Sequence, residues 1–177
     1  MFEIDLLKGK TIIITGGGTG LGKSMAVRFA ELGANLVLTS RRQDVLDETS
    51  AEIKEATGAK ILTVAADIRS PEQVTDMVAQ SVSRFKKIDG LLNNAAGNFI
   101  SPTEKLSENA FKTIVDIVLL GSFNCTLNAG REMIKSGGGN ILSIVTTYAW
   151  TGSGFVAPSA AAKGGVLALT RSLASEW

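Results

Sequence analysis

At 177 residues the chain has room for one sizeable core and little for two, and its 45% hydrophobic and 20% charged composition is that of a folded domain, not a disordered segment. Lys plus Arg number 18 and Asp plus Glu 17, so the net charge of +1 excludes a nonspecific tracker of nucleic-acid phosphates. There is no His, which excludes His-dependent nucleophile triads and the commonest imidazole metal sites and leaves proton chemistry to Tyr, Lys, Ser or carboxylates.

Short apolar, β-branched runs alternate with longer segments of helical period. This predicts an α/β fold, a Rossmann-like doubly wound parallel sheet with helices on both faces, as a single domain over 1–177. Lys10–Thr15 is the first expected strand, and residues 22–33 follow as a helix with Met25, Phe29 and Leu32 on its buried face. Asn35–Thr39 is the second strand, followed by a polar helix over Gln43–Thr57. Lys60–Ala65 is the third. Ser70 then caps a helix with Pro71 at its first position and Val74, Val78 and Val82 along its buried stripe. Asp89–Asn93 is the fourth strand. A long helical stretch opens at Ser107 and reaches about Ser136, where Gly137–Gly139 end it. Asn140–Thr146 is the fifth strand, a glycine-rich loop spans Thr147–Pro158, and Ser159–Glu176 is the last helix.

The single cysteine, Cys125, cannot form an internal disulfide, which fits a reducing compartment. Met1–Lys8 lacks a basic region followed by an apolar one, and no apolar run approaches the ~18 residues of a membrane span. The expectation is a cytoplasmic protein with neither membrane nor nucleic acid among its partners. The mitochondrial matrix is the alternative if a transit peptide is missing from this chain.

Between the first strand and first helix stands Thr15-Gly16-Gly17-Gly18-Thr19-Gly20-Leu21-Gly22. Glycine permits a tight turn and close approach to a pyrophosphate, whose charge is attracted by the free N–H groups of the following helix. Alone, such glycines would mean a flexible turn. In a strand-turn-helix context they mark a nucleotide site, with Gly16, Gly18, Thr19, Gly20, Leu21 and Gly22 as its contacts. The end of the second strand selects the nucleotide. An acid there would bind a ribose 2′-hydroxyl and repel a 2′-phosphate, yet Thr39-Ser40-Arg41-Arg42 has no acid before Asp44. Ser40 and Arg41 therefore point to NADPH, against the plainer reading of Arg41 and Arg42 as a solvated helix start.

The spacing Thr-Gly-x-x-x-Gly-x-Gly is one residue longer than the usual dinucleotide fingerprint. With Ala66-Asp67-Ile68 after the third strand and Asn94-Ala95-Ala96-Gly97 after the fourth, it resembles the short-chain dehydrogenase/reductase family. The resemblance implies that Asp67, beside Ile68, contacts adenine and that Asn94, Ala95, Ala96 and Gly97 steady the sheet beside the cofactor.

Most members of that family carry Tyr-x-x-x-Lys after the fifth strand, with a Ser thirteen residues before the Tyr. Here Lys163 is in place, but Ser159 holds the Tyr slot and Thr146 the Ser position. A serine hydroxyl is a far poorer acid than a phenol of pKa about 10, so Ser159 cannot inherit the proton-donor role. The one tyrosine is Tyr148, fifteen residues before Lys163. The segment from Tyr148 to Lys163, and Asn93–Glu104 with Asn98 inside it, resemble the NADPH-dependent 2,4-dienoyl-CoA reductases of the mitochondrial type.

That resemblance implies hydride transfer from NADPH to the δ-carbon of an acyl-CoA dienoyl thioester. Tyr148 and Asn98 would donate to the thioester oxygen, and reprotonation at the α-carbon would give a 3-enoyl thioester. Lys163 would hold the nicotinamide ribose, and Ser159 would support substrate or cofactor. The long helix and the last helix would supply one interface of a homo-oligomer, a dimer or tetramer. The family's structural Asn falls at Val118, whose side chain cannot hydrogen-bond; Thr146 reads as packing, and Trp150 either lines an acyl pocket or packs. By the same resemblance the chain stops, at Glu176-Trp177, before a further sheet edge and most of a substrate lid. The other readings are a reductase of another carbonyl or enoyl substrate, and a cofactor-binding protein without turnover.

Overall fold

The structure, a computed structural model, describes residue 3 and residues 5–177. The leader pattern sought at Met1–Lys8 falls in part on residues 1, 2 and 4, outside the described residues. Five strands, β1 (Thr11–Thr15), β2 (Asn35–Ser40), β3 (Ile61–Ala65), β4 (Gly90–Asn93) and β5 (Asn140–Ser143), pair in parallel in the order β3-β2-β1-β4-β5. The helices are α1 (Gly20–Glu31), α2 (Gln43–Thr57), α3 (Pro71–Phe85), α4 (Glu108–Val115), α5 (Gly121–Lys135), α6 (Tyr148–Thr151) and α7 (Ala157–Glu176). A π-helical turn, Asp116–Leu120, joins α4 to α5. Winding runs outward from β1 to β3, then returns to β4, so the topological switch point lies between β1 and β4.

β1 is buried along its whole length because both faces meet helices. Ile12 and Ile14 pack with Ala26 and Ala30 of α1 and Leu46 and Ile53 of α2, while Ile13 packs with Val74, Met77 and Val78 of α3 and Cys125 and Ala129 of α5. This is why the strand reads as an unbroken apolar run. α3 begins as expected: Ser70 Oγ accepts from Gln73 N at 3.3 Å and Pro71 occupies the first turn. Ser107 Oγ likewise accepts from Ala110 N at 3.1 Å to open α4.

Four local expectations are corrected. The seam of α1 is Gly22, Ala26 and Ala30, not Met25 and Phe29, which flank it; small residues let the helix lie close on the sheet. β5 ends at Ser143 instead of Thr146. Its partner β4 stops at Asn93, so after Ile144 N donates to Asn93 O at 2.9 Å there is nothing left to pair. The loop after β5 contains the short helix α6, ended by Gly152 at φ 68°. Finally, the continuous helical stretch Glu108–Lys135 is long and apolar enough, by length and composition, to cross a membrane. Here it buries Ile114 and Val118 against Ala162 and Val166 of α7, and Cys125, Ala129 and Met133 against the sheet.

Asp89 ties the lower ends of three strands. Its carboxylate accepts from Thr11 N at 3.0 Å and meets Lys87 and Lys10 at 3.2 and 3.4 Å, and its backbone O accepts from Asn140 N at 2.9 Å. Burial alone would raise its pKa, but the Thr11 N–H and the two ammonium groups outweigh it and hold the carboxyl below its ordinary range. A depressed carboxyl pKa contributes stability that is present above the ordinary value and lost as pH falls through the depressed one. Asp89→Asn is therefore expected to cost about 1 kcal/mol in urea unfolding at neutral pH. The gap to wild type should close on acidification, and a gap independent of pH would contradict this account.

Candidate active site and cofactor cleft

A cleft of about 470 Å³ opens at the carboxyl ends of the strands, beside the switch point. Its floor is the β1–α1 turn. Gly16 and Gly20 have φ of 65° and 52°, in the region that favours glycine, and Gly16 N donates to Thr39 O at 2.7 Å. Thr19, the N-cap of α1, makes no side-chain cap, so the first N–H groups of α1 are left for an anion.

Asn94 locks this turn in place. Its Nδ2 donates to Thr15 O at 3.0 Å and Gly16 O at 3.3 Å, and Thr15 Oγ1 accepts from both Asn94 N and Ala95 N at 3.0 Å. Gly22 fits beneath it: a Cβ there would overlap Gly16 O and come within 2.7 Å of Asn94 Nδ2.

Gly16, Thr19, Gly20, Leu21, Ser40, Arg41, Asp67, Ile68, Asn94, Ala95 and Ala96 all line the cleft. Gly18 lines a smaller recess beside it. Gly22 supports the turn from below, and Gly97 faces Ile114 and Ile117 instead. Ser40 Oγ is partly occupied, accepting from Arg42 N at 3.3 Å, while Arg41 stands exposed on the rim. Thr39, Ala66, Arg69 and Ile117 also line the cleft and were not anticipated. Arg69 had a signal in hand, since it directly follows Asp67-Ile68. Its guanidinium grips Asp67, with Nε 3.0 Å from both carboxylate oxygens, and this pairing holds the Asp67 carboxyl below its ordinary range.

The second cluster sits where α6 meets α7. Tyr148 Oη lies 3.0 Å from Ser159 Oγ, bridging eleven residues of sequence. Ser159 and Lys163 are 3% and 5% exposed, one turn apart on α7. Lys163 Nζ donates to Ile144 O, and burial lowers the ammonium's pKa from its ordinary value. An ammonium has three donors, so two remain beyond that bond. Thr146 Oγ1 is buried and has no hydrogen-bond partner among the described residues. Val118 is fully buried in apolar contact with α7, and its carbonyl accepts from Ser122 Oγ at 2.7 Å.

Asn98 is not brought to Tyr148 by any hydrogen bond; it is exposed on the loop after β4. That loop is tied to the one after α6, because Ser101 N donates to Phe155 O at 2.9 Å. Phe99, Ile100, Trp150 and Phe155 make the surrounding rim apolar and exposed. Cys125 takes no part: burial pushes its thiol up to about 12, leaving no thiolate at neutral pH.

The family model described as short chain dehydrogenase matches residues 10–177. The chain is 47% identical over 175 residues to the uncharacterized oxidoreductase F53C11.3 of Caenorhabditis elegans, covering 97% of this chain and 55% of that protein. It is 45% identical over 172 residues to a probable 2,4-dienoyl-CoA reductase of Bacillus subtilis (strain 168), named as (2E)-enoyl-CoA-producing, covering 97% and 67%. The chain thus spans between about half and two thirds of these curated relatives. Among solved structures, a short chain dehydrogenase from Bacillus anthracis str. 'Ames Ancestor' superposes with a TM-score of 0.91 at 48% identity, covering 96% of this chain and 70% of that one. The sheet order, the Thr15–Asn94 knot beneath the glycine turn and the match over residues 10–177 lead to one conclusion: the chain belongs to the short-chain dehydrogenase family.

Proposed function

We propose that the protein reduces a 2,4-dienoyl-CoA thioester with NADPH to a 3-enoyl-CoA thioester, a step in the oxidation of unsaturated fatty acyl chains. The observation that carries this is the 3.0 Å approach of Tyr148 Oη to Ser159 Oγ, beside the buried Lys163. A phenol reaches the position four residues before the lysine from outside α7, while that position itself holds only a hydroxyl. Family membership brings a nicotinamide cofactor, and the Bacillus subtilis relative is named for a 2,4-dienoyl-CoA substrate, although for the (2E)-enoyl product, so it supports the substrate class and not the 3-enoyl product.

The residues present fit the cofactor. A glycine turn, a helix N-terminus with free N–H groups and a cleft of about 470 Å³ suit a pyrophosphate and its two nucleosides. Arg41 at the rim, with no acid between the end of β2 and the exposed Asp44 in sequence, favours a 2′-phosphate over a bare 2′-hydroxyl. Bound NADPH would supply the hydride to the δ-carbon. As charge collects on the thioester oxygen, the Tyr148 hydroxyl donates to it, with Ser159 fixing the direction of that hydroxyl. One such donor is worth ~3–4 kcal/mol in the barrier. Lys163, anchored on Ile144 O, offers its remaining N–H groups to ribose hydroxyls. Protonation at the α-carbon, where a dienolate is most electron-rich, gives the 3-enoyl product; protonation at the γ-carbon would give a 2-enoyl product instead. Asn98, exposed on the loop after β4, would be the second donor. The exposed Phe111, Leu120 and Phe123 on the α4–α5 stretch support burial against further copies of the chain.

The full-length natural protein should oxidise NADPH, seen as loss of reduced-nicotinamide absorbance, when a dienoyl-CoA is added, and NMR of the product should place the double bond at C3. Arg41→Asp should lower the preference for NADPH over NADH at least tenfold by removing a charge-assisted contact. Tight NADPH binding with no turnover of any dienoyl-CoA would replace this reading with a binding protein.

A further inference from the structure

The loop that carries Asp67 leaves β3 without any strand to hold it, yet it forms one wall of the cofactor cleft. α5 holds it at two points on one helical face. At Gly121 the Ile68 side chain occupies the place a Cβ would take, with Ile68 Cδ1 and Cγ1 both 2.6 Å from that position. One turn further, Asn124 Nδ2 donates to the Ile68 carbonyl at 2.9 Å, across 56 residues of sequence. On the near side, Asp67 N donates to Gln73 Oε1 at 2.8 Å. The backbone is therefore pinned on both sides of the Asp67–Ile68 pair, and the far pin, Asn124, lies outside the lining of the cleft.

We infer that Asn124 is a positioning residue for the adenosine half of the cofactor, acting through the Ile68 carbonyl. The inference rests on the cofactor reading above. Asn124 belongs to a short polar track: its own carbonyl accepts from Asn128 Nδ2 at 2.9 Å, and Asn128 Oδ1 accepts from Thr75 Oγ1 at 3.2 Å on α3. That track ties α5 to α3, and of its members only Asn124 bonds the Asp67–Ile68 pair. Without the amide donor the Ile68 carbonyl loses its partner and the wall is free to shift, while the α6–α7 cluster is untouched.

The test uses the full-length protein and compares Asn124→Ala with the isosteric Asn124→Asp, which keeps the volume and loses the donor. Both should raise the Kd and the KM for NADPH by about tenfold, the worth of one hydrogen bond. The maximal rate at saturating cofactor and the KM for the thioester should not change. Competition by adenosine 2′,5′-bisphosphate should weaken by the same factor. Asn128→Ala, on the same helix surface without a contact to the loop, should leave the Kd unchanged. Wild-type NADPH affinity in Asn124→Asp would overturn the inference while leaving the cofactor reading intact. Equal weakening by Asn128→Ala would overturn it too, since helix packing alone would then be the cause. A wild-type protein that binds neither NADPH nor NADH overturns the cofactor reading first and this inference with it.

Discussion

Tyr148→Phe is expected to lower kcat by two to three orders of magnitude with little change in the KM for cofactor. The phenyl ring is retained, and Tyr148 is only half-buried, so the substitution removes a hydroxyl and little packing. What it removes is the one phenol in the chain, 3.0 Å from a serine that is itself 3% exposed. A donor held in that way needs no reorganisation when charge appears on the thioester oxygen, and loss of a single such donor costs ~10²–10³ in kcat. Ser159 cannot compensate, because an alcohol is many pKa units weaker as an acid than a phenol of about 10. Stopped-flow or steady-state oxidation of NADPH with a dienoyl-CoA measures the effect. A variant within about threefold of wild type would remove Tyr148 from the chemistry.

The second large effect is expected at Gly22, where two opposing terms can be compared. Alanine in a helix is favoured over glycine by about 1 kcal/mol. Against that, the new Cβ would overlap the Gly16 carbonyl oxygen and stand 2.7 Å from Asn94 Nδ2. Both groups belong to the knot that shapes the phosphate turn, and one of them is backbone, so neither yields cheaply. Overpacking typically costs 1–3 kcal/mol and more when backbone must move, so the steric term wins. Gly22→Ala should lose about 2 kcal/mol of stability in urea unfolding and at least tenfold in NADPH affinity. Gly58→Ala provides the contrast. Gly58 has φ 70° but open space around its Cβ position, so only the backbone conformation is penalised, by about 1 kcal/mol, with cofactor affinity unchanged. Equal effects at the two glycines would show that conformational freedom, not the Asn94 contact, makes Gly22 necessary.

The fold was largely legible because both faces of the sheet are covered. Residues such as Ile12, Ile13 and Ile14 are apolar on each side for a physical reason, and the helices between them carry their own start signals at Ser70 and Ser107. Legibility failed where an element depends on a partner. The length of β5 was set by where β4 stops, and the buried face of α1 by how closely it lies on the sheet, which favoured Ala26 and Ala30 over the larger Met25 and Phe29. The short helix over Tyr148–Thr151 was hidden among glycines that normally signal a loop.

For the site, the amino-acid sequence by itself determined which chemistry is on offer: a glycine turn before a helix, Arg41 in place of an acid after β2, Ser159 in the tyrosine slot and a lone Tyr148. These are matters of residue type and local spacing, and local backbone preferences express them directly. Only the tertiary structure decided which of those groups meet. It set Tyr148 against Ser159 across eleven residues, Asn94 beneath the glycine turn, Arg69 on Asp67, and Asn124 on the Ile68 carbonyl across 56 residues, while Asn98 is exposed on the loop after β4. Hydrogen bonds and ion pairs act over about 3 Å, a separation that sequence distance does not encode and that the packing of helices onto the sheet does.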